Sequence, residues 1–371
     1  MSRELLGLFV VGVLCIIISP LFKELKVREY PKPIITPALY KEETVLTTNP
    51  KSIVFLSDSF LPVTFAGSEI TGYETLRYLR KRGHKISIFV KNYKVHEYDG
   101  FRIYKYNIGD QFCVRTIMNA DYVFFQMGGE VSNFDLVQQR NKPVYVFIHL
   151  VNSYDWLLQQ KVSFPIKVVY NSHMTQDTLP TLHDNMRMIP YVDINKFKVL
   201  REYTVQNSVV CLINCSKNKG GELLKTLAHN MRNVQFIGVK GGYADQVIDE
   251  TPPDNLTYMN NQKDISVVFK KIGVLIMPSG HETWGRTAVE AMASGVVVIH
   301  SEAAGLVECV GGAGIMCARE DEDAWADAIR KLNGDRAYKE RFRQYGFKRV
   351  DEIEIEQRRG RQELAMKIEN D

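Results

Sequence analysis

Residues 52–90 read SIVFLSDSFLPVTFAGSEITGYETLRYLRKRGHKISIFV. SIVFLS is a short apolar run, followed by a loop, a helical stretch from about residue 68 to 82, and a second apolar run, HKISIFV. Strand, loop, helix, strand is the βαβ unit. Further strand candidates are FRIYKY (101–106), DYVFFQ (121–126), PVYVFI (143–148) and IKVVYN (166–171), with helical segments between most of them. The runs are continuous rather than alternating, as expected of parallel strands buried on both faces.

The pattern then restarts. SVVCLIN (208–214), NVQFIG (233–238), NLTYMN (255–260), IGVLIMP (272–278) and VVVIH (296–300) are strand-like, again with helical stretches between them. Two successive βα arrays of about 150 residues each predict two Rossmann-like domains. Their boundary is expected near PYVDINKFKVLREYTVQN, residues 190–207. The expected division is 52–200 and 201–334, followed by a charged helical tail over 335–371 that reads as a solvated face.

Composition agrees with that outline. A chain of 371 residues with 45% hydrophobic content is long enough for two cores. A net charge of +4 gives no sign of a nucleic-acid partner. Cys15, Cys113, Cys211, Cys215, Cys309 and Cys317 are scattered through apolar contexts and read as free thiols, which suits a reducing compartment. Cys211 and Cys215 lack a second Cys/His pair, so they do not read as zinc ligands.

The N-terminus differs. LLGLFVVGVLCIIISPLF, residues 5–22, is an apolar run of about the minimum length for a bilayer helix. A cleaved signal peptide is the competing reading, but SPLFKELK offers no clear small-residue cleavage site. The expectation is an N-terminal transmembrane anchor over 1–22 and a proline-containing linker over 23–51. Lys23, Lys26, Arg28 and Lys32 follow the run, which predicts a single-pass protein with its catalytic part on the cytoplasmic side.

In open α/β sheets, ligands bind outside the carboxyl ends of the strands. Three loops at such positions carry unusual residues. After the first strand, Ala66-Gly67-Ser68 lets a ligand approach the backbone where a helix begins, although the same residues suit an ordinary strand-to-helix turn. In NCSKNKGGELL, residues 214–224, Lys217 and Lys219 precede Gly220-Gly221 and a helix. That suits a diphosphate or, equally, a solvated pair of loop lysines; it is no GxxxxGK[ST] loop.

The third loop is MPSGHETWGRTAVEAMASG, residues 277–295. Glu290 falls more than a turn inside a predicted helix over 285–294 that is otherwise small or apolar, and Glu282 lies in the loop before it. A buried carboxylate needs a partner. Sugar or ribose hydroxyls would serve, and so would a lysine or arginine from another element. SEAAGLVE (301–308), after the next strand, adds small residues for backbone contact.

In this order AGSE, KGGELL and PSxxExxGRxxxEAMASG…AAGLVE resemble the GT-B-fold retaining glycosyltransferases of family 4, from about residue 52 to 332 and most closely over 207–318. The resemblance implies two Rossmann-like domains facing a central cleft, an acceptor-side one followed by one that binds the nucleotide sugar. It implies that Glu290 binds the ribose hydroxyls and that Glu282 faces the donor sugar. Lys219 would neutralise the diphosphate, helped by backbone N–H groups at Ala304, Gly305 and Leu306, with Ala66 and Gly67 approaching from the other domain and Lys217 as a substitute for an arginine found in many members.

His149 occupies the place of a family histidine that contacts the donor sugar; a histidine closing a strand end reads the same. Many members carry an arginine a few residues before the lysine, whereas INCSKNK has none.

The implied reaction is sugar transfer from a nucleotide-diphosphate sugar to an acceptor hydroxyl with retention, without a metal or a tightly bound cofactor. Asp321-Glu322-Asp323 reads as a helix-capping cluster. Glycan, lipid-linked and protein-linked acceptors stay open, and so do the base and the sugar. The rival readings are a GT-B-fold epimerase or phosphorylase and a catalytically silent, membrane-tethered binding module. No GxGxxG follows either first strand, which argues against an oxidoreductase.

Overall fold

The computed structural model describes residues 45–126, 137, 143–151, 166–181, 183–242 and 244–370. The opening βαβ unit forms as β1 (Ser52–Ser57), α1 (Gly67–Lys81) and β2 (Lys85–Val90). β1 pairs in parallel with β2 on one side and with β5 (Tyr122–Gln126) on the other. With β3 (Glu97–Tyr98), β4 (Phe101–Lys105), β6 (Val144–Ile148), β7 (Ile166–Tyr170) and β8 (Asp184–Arg187), the sheet order is β3-β4-β2-β1-β5-β6-β7-β8. Within this sheet only β3 against β4 is antiparallel among the described strand pairings. Every residue of β5 and β6 is buried, which is why those stretches carry no polar alternation.

The second sheet is built from β9 (Val210–Ile213), β10 (Phe236–Val239), β11 (Leu256–Met259), β12 (Val274–Met277), β13 (Val297–His300) and β14 (Ile315–Met316). Its order is β11-β10-β9-β12-β13-β14, parallel at each described pairing. In both sheets the first strand lies inside, and the order reverses beside it, between β1 and β5 and between β9 and β12. Such switch points open a crevice at the carboxyl ends of the strands.

The segment between the sheets folds as two short helices, α4 (Ile194–Lys198) and α5 (Arg201–Thr204), after α2 (Gln111–Asn119) and α3 (His173–Thr178) of the first half. β3, β8 and β14 escape a reading of apolar runs because they are short edge strands; DNMR of β8 buries a single residue. Cys113, Cys211, Cys215, Cys309 and Cys317 are free and buried, while Cys15 lies outside the described residues.

The tail departs most from expectation. After α10 (Glu322–Gly334), whose N-cap Asp321 accepts from the Ala324 N–H, α11 (Arg336–Asn370) runs for 35 residues, about 52 Å at the helical rise. One of its faces is buried along the whole length. Gly346, Val350, Ile353, Gln357, Gly360, Leu364 and Ile368 form a buried stripe at spacings of three and four. Val350 and Ile353 join the second sheet's core, whereas Leu364, Ala365 and Ile368 pack with Ile53 and Phe55 under the first. Gln357 at mid-helix bonds both the N–H and the carbonyl of Val192, each at 3.0 Å. At the far end Glu369 takes a bidentate pair from Arg82, 2.7 Å for each bond, and a third contact from His84.

One expectation is corrected. Among the described residues no helix is long and apolar enough to cross a membrane. The expected transmembrane helix ahead of the α/β fold, and with it the single-pass membrane localisation with a cytoplasmic catalytic part, is overturned by that finding. α11 has the length, but charged residues such as Lys339, Arg343, Asp351 and Glu354 punctuate it throughout. Residues 5–22, on which the expectation rested, lie outside the described residues.

Candidate active site

Glu290 sits in α8 (Arg286–Ala293), which follows α7 (Ser266–Phe269) and whose residues from Ala288 onward are all buried. β12 ends at Met277, Pro278 follows, and Gly285 turns the chain into the helix at φ 131°. Only glycine fits that turn easily, since a Cβ there would also lie 2.8 Å from Leu306 Cδ2. The partner of Glu290 is Arg286, one turn earlier, with Nη2 3.0 Å from Oε1. Burial pushes the Glu290 carboxyl above its ordinary pKa, and the Arg286 guanidinium pulls it back.

Glu282 also has a cation. The Lys219 ammonium bonds its Oε1, to which Ser279 Oγ donates at 3.2 Å. Lys219 closes a single 3₁₀ turn between β9 and α6 (Gly221–Asn230). Gly220 then adopts φ 95°, with Pro278 so close that a Cβ would lie 2.1 Å from its Cγ. The glycine thus lets the lysine loop press against the end of β12, next to Glu282. The N–H groups of Lys219, Gly220 and Gly221 are used inside the turn, on the carbonyls of Ser216 and Lys217. What the loop offers a ligand is therefore the lysine side chain.

Across from these, Ala66 and Gly67 open α1. A cavity of about 550 Å³ is lined by Ala66, Gly67, Lys219, Glu282, Arg286 and Glu290 together. That volume suits a small-molecule site. Lys196, Lys240 and Lys263 add positive charge to its walls. Contacts between the halves flank the cavity: Asn171 Nδ2 donates to Thr283 Oγ1 at 3.3 Å, and Glu308 accepts from the N–H groups of His173 (2.8 Å) and Met174 (3.0 Å).

The other sequence-derived candidates lie elsewhere. His149 is buried, and its Nε2 meets Gln126 Oε1 at 3.1 Å while Gln126 donates to the Ser68 carbonyl. Burial lowers its pKa to about 4, so the ring is neutral at pH 7 and supports the first turn of α1 rather than lining the cavity. Lys217 is exposed and outside the lining, and its carbonyl receives Arg319.

Ala304, Gly305 and Leu306 open α9 (Ala304–Val310) behind the Glu282 loop. A Cβ on Gly305 would lie 2.3 Å from the Glu282 carbonyl oxygen, and the Leu306 N–H is taken by Ala303. Arg286 was missed in the sequence, although its spacing of four from Glu290 put both on one helix face.

Residues 193–349 match the family model described as glycosyl transferases group 1. Less than half of the chain lies in that match, and over this stretch it is similar to the group 1 glycosyltransferases. The D-inositol 3-phosphate glycosyltransferase of Corynebacterium urealyticum is 33% identical over 75 residues, 20% of this chain and 18% of that protein. The chain thus spans about a fifth of the length of the curated relatives it matches.

Among solved structures, sucrose-phosphate synthase from Thermosynechococcus elongatus superposes with a TM-score of 0.63 at 16% identity, over 81% of this chain and 94% of that one. Anabaena Alr3699/HepE, in complex with UDP-glucose, gives 0.62 at 17%, over 83% and 98%. At such identities the likeness speaks to the fold, and the fold is GT-B, with two Rossmann-like sheets.

Proposed function

We infer that the protein is a retaining, metal-independent glycosyltransferase that moves a sugar from a nucleotide-diphosphate sugar to an acceptor hydroxyl. One observation carries this reading: Lys219 and Glu282, on the loops after β9 and β12, face the glycine start of α1 across one cavity. The group 1 match over 193–349 and the UDP-glucose held by the Anabaena neighbour support a nucleotide-sugar donor. The half carrying 52–200 would receive the acceptor, and the half carrying 201–334 would hold the donor.

In the reaction, the bond from the anomeric carbon to the diphosphate breaks as the acceptor oxygen attacks from the same face. The leaving diphosphate oxygen takes the acceptor's proton. Charge grows on the leaving group, and a fixed cation lowers the barrier there. Lys219 supplies it, with Lys240 and Lys263 on the same walls and no divalent ion in the scheme.

The carboxylates on the cavity walls are all engaged. Each carboxylate lining the cavity already has a partner: Glu74 with Arg77, Asp193 with the Lys196 N–H, Glu282 with Lys219 and Glu290 with Arg286. Glu282, released from Lys219 by the diphosphate, accepts hydroxyls of the donor sugar.

The test is a panel of UDP-, GDP- and ADP-sugars incubated with the protein and followed for slow donor hydrolysis. Nucleotide diphosphate release is expected with at least one donor, with losses of tenfold or more in Lys219→Ala and Glu282→Gln. Epimerised sugar without nucleotide release would sink the transferase reading, and unchanged turnover in both variants would sink the site.

A further inference from the structure

Arg286 is an odd choice for the place it occupies. It opens α8, where unpaired backbone N–H groups already carry partial positive charge and favour anions over cations. Its pair with Glu290 runs from base to acid along the helix, the weaker of the two i,i+4 orientations. The partners also differ in burial: the Glu290 side chain is 6% exposed and that of Arg286 23%. Arg286 Nε donates to the Tyr191 carbonyl at 3.2 Å.

On the opposite wall Gly67 opens α1, and a Cβ there would lie 3.9 Å from Arg286 Cδ. The arginine side chain thus stands between the positive ends of two helices, in the cavity that also holds Lys219. An anion placed there gains from all three. Arg286 is the one arginine among the residues that line the cavity.

We propose that Arg286 is a ligand of the donor's diphosphate, exchanged against Glu290: the diphosphate draws the guanidinium off the carboxylate, and the carboxylate then accepts the ribose hydroxyls. This rests on the nucleotide-sugar reading above. The planar fork of Arg286 matches phosphate oxygens, and Glu290 accepts hydroxyl donors without a new charge entering the helix. The exchange also sets a specificity. A nucleoside without phosphates must compete with Arg286 for Glu290. A phosphate group alone strips Glu290 of its cation and leaves a buried charge unpaired. Only a ligand carrying both ends satisfies both residues.

The experiment compares binding of UDP, GDP and ADP to the full chain, using ligand-observed NMR, which reads millimolar dissociation constants. The variants are Glu290→Gln, Arg286→Gln/Glu290→Gln and Arg286→Lys/Glu290→Gln. In the Glu290→Gln background the ion pair is already gone, so loss of Arg286 is read on the ligand alone, and no buried charge is left to unfold the double variant. The tightest of the three nucleotides is expected to bind Arg286→Gln/Glu290→Gln at least fivefold more weakly than Glu290→Gln, with lysine restoring part of the difference. A smaller loss overturns the proposal. Wild-type protein that binds none of the three overturns the nucleotide-sugar reading itself, and the exchange with it.

Discussion

Gly220→Ala isolates the geometry that aims Lys219. The residue sits at φ 95°, ψ 30°, a left-handed conformation that costs a side-chain-bearing residue about 1–2 kcal/mol. The added methyl would also meet Pro278 Cγ at 2.1 Å and Cβ at 3.0 Å. A proline ring at a strand end has no rotamer to swing away, so the loop or the end of β12 must move. Overpacking of that kind adds about 1–3 kcal/mol, for a total of about 2–5 kcal/mol.

Gly334→Ala is the control: it closes α10, and a Cβ there meets nothing within 4 Å. That change should be neutral or stabilising by up to about 1 kcal/mol. Urea unfolding of the two variants beside wild type measures the difference, and titration with a nucleoside diphosphate reads whether Lys219 has moved. A Gly220→Ala protein within about 0.5 kcal/mol of wild type would refute the steric argument. One that is destabilised yet binds the nucleotide normally would refute the link between this glycine and Lys219.

Two further outcomes follow from α11. Leu364→Ala should lower unfolding stability by about 2–5 kcal/mol, because Leu364 is fully buried against the first sheet; a loss under about 1 kcal/mol in urea melts would show that the helix end is dispensable. Glu369→Gln should cost about 1–2 kcal/mol at pH 7, allowing for partial exposure. The Arg82 hydrogen bonds hold the Glu369 carboxyl below its ordinary 4.5, so its contribution is present above that value and disappears as pH falls through the lower, folded value. Stability differences between variant and wild type from pH 7 to pH 3 should therefore shrink; a constant difference would contradict the assignment.

The two sheets were legible because buried parallel strands write themselves as unbroken apolar runs such as YVFFQ and VYVFI. Edge strands such as DNMR have one neighbour and little to bury, so nothing in their residues marks them. α11 was misread for a related reason. Its inward face includes Gly346 and Gly360, which bury by close approach, Gln357, which buries by hydrogen bonding, and Arg361, whose guanidinium lies over the Tyr191 ring, and none of these is hydrophobic.

At the site, glycine and lysine patterns located the loops that line the cavity, since backbone approach and charge are local properties. Which side chains face inward depends on tertiary context. His149 was named from its position after a strand, yet Gln126, on the neighbouring strand β5, claims its Nε2. Glu290 was recognised as needing a partner, and Arg286, four residues before it, is that partner.

The long closing helix also has a bearing on how the molecule is made. Ile53 and Phe55 belong to the first strand synthesised in the sheets, whereas Leu364 and Ile368, which complete their core, follow about 310 residues later. At the usual speed of a ribosome that is roughly 15–60 s. Throughout that interval α1 covers its share of this core, and the part that Leu364, Ala365 and Ile368 fill is open to solvent or to a chaperone. The first half to emerge is thus among the last to be finished.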